Sequence, residues 1–236
     1  MFYDCSKLTT FDSSGSPVNL SSLTNGYYMF YYCKNLTTFS SDLSSLTNGE
    51  CMFWGCSGFT TFSSDLSSLT HGYYMFKECK NLTTFSSDLS SLADGDSMFY
   101  NCSALISFDR NLSSLTDGYD MFYYCTALTS FTSDLSSLTN GRYMFYGCTA
   151  LTSFTSDLSK LTDGSNMFYN CKLDAASVER ILTTIPTYSS GSYTLTMRIQ
   201  SGAAATKFGE ITGTTPTSTS AVSVTYKGWT IKVNLK

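Results

Sequence analysis

Apolar and polar positions alternate along most of this chain on one fixed beat. Methionines fall at Met29, Met52, Met75, Met98, Met121, Met144 and Met167, a constant step of twenty-three from each to the next. Phenylalanine follows each of them, and Cys33, Cys56, Cys79, Cys102, Cys125, Cys148 and Cys171 keep the same interval. Self-similarity at 20–50 residues marks a solenoid or array. Within the unit that starts at Met121, Leu128 and Phe131 lie in the stretch Leu-Thr-Ser-Phe-Thr. That pattern predicts a short strand with apolar residues inward and hydroxyls outward. Leu135 and Leu138 supply a second inward pair. Met, Phe and Cys at i, i+1 and i+4 are the set that one helical turn would gather on a common face.

Two columns of turn residues punctuate the unit. Asn19, Asp42, Asp65, Asp88, Asn111, Asp134 and Asp157 each precede the Leu pair, where an Asx side chain can accept backbone N–H groups and cap a turn. Stacked carboxylates are also the raw material of a calcium site, but Asn at two of the seven positions suits a cap better. Gly26, Gly49, Gly72, Gly95, Gly118, Gly141 and Gly164 follow, mostly after Asn or Asp, which predicts turns with positive φ. A single unit this short cannot bury its own apolar set, whereas stacked copies can. At about 4.8 Å per rung, seven rungs make a body roughly 34 Å long.

The predicted fold is therefore a repeat solenoid, leucine-rich-repeat-like, with parallel β rungs joined by short helical or 3-10 turns. Residues 1–171 hold seven full units and a partial eighth. The first unit is longer than the rest by five positions, with extra chain around Ser13 to Pro17. Residues 172–236 leave the pattern and read as a small α+β C-terminal cap. Leu173 to Ile185 predicts a helix, with Asp174 as N-cap, an apolar stripe of Val178, Ile181, Leu182 and Ile185, and Pro186 as stop. Tyr193 to Ile199 and Trp229 to Leu235 predict strands, and Thr214 to Ser220 a loop in which Pro216 could open a short helix. No cap is visible ahead of the first unit, so its unpaired edge invites an upstream domain or self-association.

The run Leu-Thr-Ser-Phe…Leu-Ser-Ser-Leu-Thr-Asn-Gly-x-x-Met-Phe-Tyr-Gly-Cys resembles the BspA-like leucine-rich repeats of bacterial surface proteins, in the branch carrying Met-Phe-x-x-Cys. The unit here is shorter than is usual in that branch. The resemblance covers residues 1–171. It implies a leucine-rich-repeat fold, a role in adhesion at an extracellular or cell or virion surface, and no catalytic residues or cofactors. A closing tail with a helix and a Lys-Gly-Trp-Thr strand is similar to the ends of such arrays.

Composition narrows the chemistry further. Only 14% of residues are charged, while Ser and Thr number 40 and 33, and aromatics reach 15%. So many aromatics argue against disorder. No apolar run reaches the roughly 18 residues of a membrane span, and no secretory leader is visible. Residues 1–171 carry −8 and residues 172–236 carry +4, so the larger part repels phosphate backbones and nucleic-acid binding is not expected. A single histidine, His71 in a turn slot, leaves no partner for a Ser-His triad and little for metal ligation. The Cys column reads as buried thiols packing as small hydrophobes. Cys51 lies outside it at a variable, outward position, and is expected to be the reactive one. Thr37, Thr60, Thr83, Thr129 and Thr152 form a hydroxyl column whose default role is a solvated strand face, with ice binding as the alternative.

Function is sought where the units differ. The pair after each turn glycine and the pair after each Phe change freely, in a palette of Tyr, Ser, Gly, Asn and Asp with occasional Trp and Arg. Binding loops use that palette because Tyr offers contact area at low entropy cost. The candidate ligand-binding residues are Tyr27, Tyr28, Tyr31, Tyr32, Trp54, Tyr73, Tyr74, Tyr100, Tyr119, Tyr123, Tyr124, Arg142, Tyr143, Tyr146 and Tyr169. Two readings stand. Either these residues recognise a host surface protein or glycan, as an adhesin or phage tail fibre would, or Tyr merely shields the turns of a self-associating spacer. No metal is expected at the site.

Overall fold

The computed structural model describes residues 2–11, 18–217 and 221–235. The extra chain at Ser13–Pro17 and the end of the loop expected at Thr214–Ser220 lie outside the described residues. Once per repeat the chain returns one rung further on, and equivalent residues pair in parallel register. Strands β1 (Thr61–Phe62) and β2 (Thr84–Phe85) pair Thr61 with Thr84 and Phe62 with Phe85. Strands β3 (Ser107–Phe108), β4 (Ser130–Phe131) and β5 (Ser153–Phe154) form a second parallel set. A further parallel bridge joins each rung at the residue before the turn glycine, from Asn25–Asn48 through to Asn140–Asp163. These strands are very short, and end sooner than the Leu-Thr-Ser-Phe-Thr stretch predicts, because the Asx turn that follows bends the backbone at once. In that turn the Asp134 side chain accepts the Ser136 N–H at 2.8 Å, and the other six Asx residues do the same two residues on. This is the capping role.

The interior is a set of ladders. The Phe residues after Met stack rung on rung, 5.3 to 5.6 Å apart from Phe2 to Phe168. The strand Phe residues form a second ladder, and its rings meet the first edge-on, as between Phe108 and Phe122 at 4.8 Å. Edge-to-face contact sets the positive rim of one ring against the negative face of the other. Each ladder Cys from Cys56 onward is fully buried and donates its thiol to the carbonyl of the Met-Phe phenylalanine one rung earlier, at 3.1 to 3.2 Å. The thiol thus packs as a hydrophobe and gives a second donor to a carbonyl that already accepts the backbone N–H of the Cys in its own rung. Burial pushes these thiols upward in pKa.

Three expectations are corrected. The segment after the glycine is not a helical turn. Its N–H groups alternate between local turns and the next rung: Met29 N–H donates to Gly26 O, Tyr28 N–H to Glu50 O, Phe30 N–H to Met52 O and Tyr32 N–H to Trp54 O. Such alternation needs recurrent left-handed residues, which a helix lacks. Second, none of the seven turn glycines has positive φ. They are glycine because the next rung approaches closely: a Cβ on Gly49 would lie 2.5 Å from Met75 Sδ. Third, Cys51 is not outward but 1% exposed, and burial pushes its pKa up to about 11. Its side chain turns in beneath Tyr28, so a variable position is not an accessible one there.

At the far end the ladder runs into a mixed sheet. Strand β6 (Gly164–Leu173) pairs in parallel with β7 (Tyr193–Ile199), β7 pairs in parallel with β9 (Trp229–Leu235), and β8 (Val222–Tyr226) pairs with β9 antiparallel. Helix α1 (Ala175–Thr184) is capped by Asp174, which accepts the Ser177 N–H, and it buries Val178, Ile181 and Leu182. Ser177 also continues the strand column by accepting the Phe154 N–H. Helix α2 (Ala203–Thr212) packs on α1 and buries Ala204, Ala205 and Phe208. The fold is thus a repeat solenoid closed by a small α+β cap. Neither α2 nor β8 was expected.

Candidate functional site

The alternating turns decide where the variable side chains go. The residue directly after each Phe falls in one outward column: Tyr3, Tyr31, Trp54, Lys77, Tyr100, Tyr123, Tyr146 and Tyr169. Tyr100, Tyr123, Tyr146 and Tyr169 stack nearly parallel at 4.7 to 4.9 Å. Tyr3 stacks on Tyr31 at 4.7 Å, and Tyr31 meets Trp54 edge-on. Lys77 closes the gap between the two halves. Its Nζ lies 4.8 Å from the Trp54 ring, 4.2 Å from Tyr74 and 4.3 Å from Tyr100. An ammonium over ring faces is attracted by the ring quadrupole, so Lys77 substitutes for a ring without breaking the column.

The other variable columns flank this one. Tyr27 packs edge-on against Tyr28, and Tyr28 reaches Tyr31. Tyr73 and Tyr74 lie 3.9 Å apart, and Tyr74 touches Trp54. Tyr119 meets Tyr143, and Tyr143 meets Tyr123 and Tyr146. Arg142 stacks over Tyr143 at 5.1 Å. Tyr32 leans on Tyr31, and Tyr124 on Tyr123 and Tyr146. All fifteen sequence-selected residues therefore fall in one connected aromatic surface. Tyr27 and Tyr124 are the most exposed tyrosines among them, at 48% and 42%, and Arg142 is exposed too. Sequence reasoning missed Tyr3, Lys77, Asp96 and Asp120. Each occupies one of the same variable slots, so slot position rather than residue type was the usable signal.

Many of these residues sit in strained backbone. Tyr28, Tyr32, Tyr74, Tyr124 and Tyr143 have φ between 52° and 57°. For a bulky L-residue the left-handed region costs roughly 1–2 kcal/mol. The slot of Tyr32 and Tyr124 holds Gly55 and Gly147 in other rungs, where φ is 75° and 76°, while the slot of Tyr28, Tyr74 and Tyr143 holds no glycine.

Electrostatics mark one part of the surface. Tyr100, Tyr119, Asp120, Tyr123, Tyr143 and Tyr146 enclose an open hollow of about 410 Å³. Asp120 Oδ1 is buried there with no hydrogen-bond donor. Burial, with the charge of Asp96 behind it, pushes the Asp120 carboxyl up to about 6 despite Lys77 and Arg142 nearby. Burial pushes Asp96 to about 6 as well, against the Ser97 hydroxyl that donates to it. Burial between Tyr100 and Tyr146 pushes the Tyr123 phenol to about 12, so it stays neutral. Among the described residues no group of His, Cys, Asp or Glu is placed to hold a metal.

On the strand face, hydroxyls are tied into the backbone ladder. The hydroxyls of Thr37, Thr83, Thr129 and Thr152 donate to carbonyls of the preceding rung. The His71 ring bonds the hydroxyl of its neighbour Thr70.

Fold and site together define a class: a parallel repeat solenoid with an invariant interior and a variable aromatic face. The chain belongs to the BspA-type leucine-rich repeat family, whose model matches residues 1–106 and 72–196. No curated protein and no solved structure matches it. The family suggests a surface or protein-binding repeat module, typically non-enzymatic. No helix among the described residues is long and apolar enough to cross a membrane.

Proposed function

We propose that this chain is a non-enzymatic recognition module, an adhesin or receptor-binding array at a cell or virion surface, which binds a host protein or glycan through its Tyr-rich face. The backbone carries the argument. Tyr32 and Tyr124 are retained at a left-handed position where the chain's own Gly55 and Gly147 relieve the strain, and Tyr28, Tyr74 and Tyr143 at a second one that Asn166 fills in another rung. Strain kept against an available remedy points to selection for the side chain. Shielding does not account for it, since Gly and Asn fill the same slots without exposing the core: Phe53, Phe99, Phe145 and Phe168 stay fully buried beside Gly55, Asn101, Gly147 and Asn170. A connected aromatic patch of this extent is also uncommon on a chain without a partner.

The test is a panel of host cells and glycan and protein arrays, probed with the wild type and with Tyr123→Ala/Tyr124→Ala/Tyr146→Ala. Binding that survives the triple substitution places recognition elsewhere. The alternative function is a self-associating spacer. A single sedimenting species across a wide concentration range would sink it.

A further inference from the structure

We propose that the hollow between Tyr100, Tyr119, Asp120, Tyr123, Tyr143 and Tyr146 takes the ammonium group of a lysine side chain displayed by a partner protein. The proposal rests on the recognition reading and names the chemistry of one subsite within it. Three observations carry it. The walls are five tyrosines with one carboxylate among them, and no cationic side chain lines the hollow. That carboxylate is uncompensated: Asp120 Oδ1 is buried without a donor, and neither Asp120 nor Asp96 enters an ion pair with any described residue. The two cations in the neighbourhood are held elsewhere, Lys77 by its three rings and Arg142 on Tyr143. Finally, the surface already holds a lysine in this way. Lys77 lies within 4.8 Å of Trp54, Tyr74 and Tyr100, with Tyr100 shared between that cage and the hollow.

A neutral sugar would also stack on the rings, but it would leave the buried negative charge unanswered. An incoming ammonium supplies the opposite charge, and removing either partner of such a pair is costly. A lysine side chain is chosen over a quaternary amine because its N–H groups can donate to a carboxylate, which a quaternary amine cannot do.

The experiment titrates the full chain with Nα-acetyl-lysine methylamide, tetramethylammonium and methyl glucoside at constant ionic strength, reading the aromatic NMR signals of the five tyrosines. The lysine probe is expected to shift those rings saturably and selectively. Asp120→Asn should weaken it about tenfold, the loss of one charge-assisted contact. Asn already occupies positive φ at Asn101, Asn166 and Asn170, so this variant keeps the backbone; a Tm no lower than wild type verifies it. Saturable shifts with tetramethylammonium alone, or with the glucoside alone, overturn the lysine assignment, as does lysine binding that Asp120→Asn leaves intact. If no probe shifts the rings while Tyr123→Ala/Tyr124→Ala/Tyr146→Ala still abolishes cell binding, the lysine subsite falls and the recognition face stands.

Discussion

Replacing Tyr124 with glycine separates a recognition side chain from a structural one. Tyr124 has φ 57° and is 42% exposed; its ring lies 4.8 Å from Tyr123 and 5.9 Å from Tyr146. Glycine removes a left-handed penalty of roughly 1–2 kcal/mol. It adds about 0.5–1 kcal/mol of unfolded-chain freedom to be lost on folding. It also forfeits two tilted ring contacts, about 0.5–1.5 kcal/mol each at most and less on an exposed surface. These contributions cancel to within about 1 kcal/mol, so Tm should move by no more than about 4 °C for a chain of this length. The reference is Phe122→Ala, one column inward, which empties a fully buried site and should cost about 3–5 kcal/mol. Thermal unfolding of both variants beside the cell-binding panel gives the answer. A Tyr124→Gly chain as unstable as Phe122→Ala would show that Tyr124 is a shield, and the strain argument would fail. A stable Tyr124→Gly chain with undiminished binding would remove Tyr124 from the recognition face.

Three further outcomes are expected. Gly49→Ala should cost about 1–3 kcal/mol by crowding Met75 and Met75→Ala about 2–5 kcal/mol, with the double variant losing clearly less than their sum; additive losses in urea unfolding would return the explanation to backbone conformation. Thiol labelling without denaturant should reach Cys5, the one cysteine that is not buried, well before Cys51 or the ladder, and early modification of Cys51 would contradict its placement under Tyr28. The carboxyls of Asp96 and Asp120, raised in the folded chain to about 6 from 3.8, bind protons more tightly folded than unfolded. Their contribution is therefore most favourable at low pH and declines as pH rises from about 4 through 6. Asp96→Asn/Asp120→Asn should gain Tm relative to wild type above pH 6 and lose that advantage near pH 4. A gap between the two Tm profiles that does not change with pH would refute the buried-carboxylate reading.

The periodicity made the ladders legible because stacking in register turns a sequence column directly into a spatial one. Phe, Cys and Leu need no further information than the interval. The Asx caps were readable for the same reason, since the bond they accept is local. Backbone sign was missed. Positive φ falls on Tyr28 and Tyr32, not on Gly26, because rung-to-rung hydrogen bonds impose it; the available signal was Gly55, Asn101, Gly147 and Asn170 in the slot of Tyr32. Cys51 was misplaced through the same gap: outward slots alternate in depth once the segment is a run of turns instead of a helix. In the cap no repeat reports on its neighbours, and α2 has a weak apolar stripe opened by Ala and Gly, so it was missed. The aromatic face was visible as a set of slots, whereas the charge of its hollow depended on Asp96 and Asp120 lying side by side across rungs.

The central claim is that recognition uses the Tyr face and not the strand face. Hydroxyl-radical footprinting of the chain bound to a receptive host-cell surface, read by mass spectrometry against the free chain, tests it directly. Protection concentrated at Tyr100, Tyr123, Tyr124, Tyr143 and Tyr146, with the strand residues around Thr129 and Thr152 unchanged, is the expected result. Protection of the strand residues with the tyrosines still reactive would contradict the account.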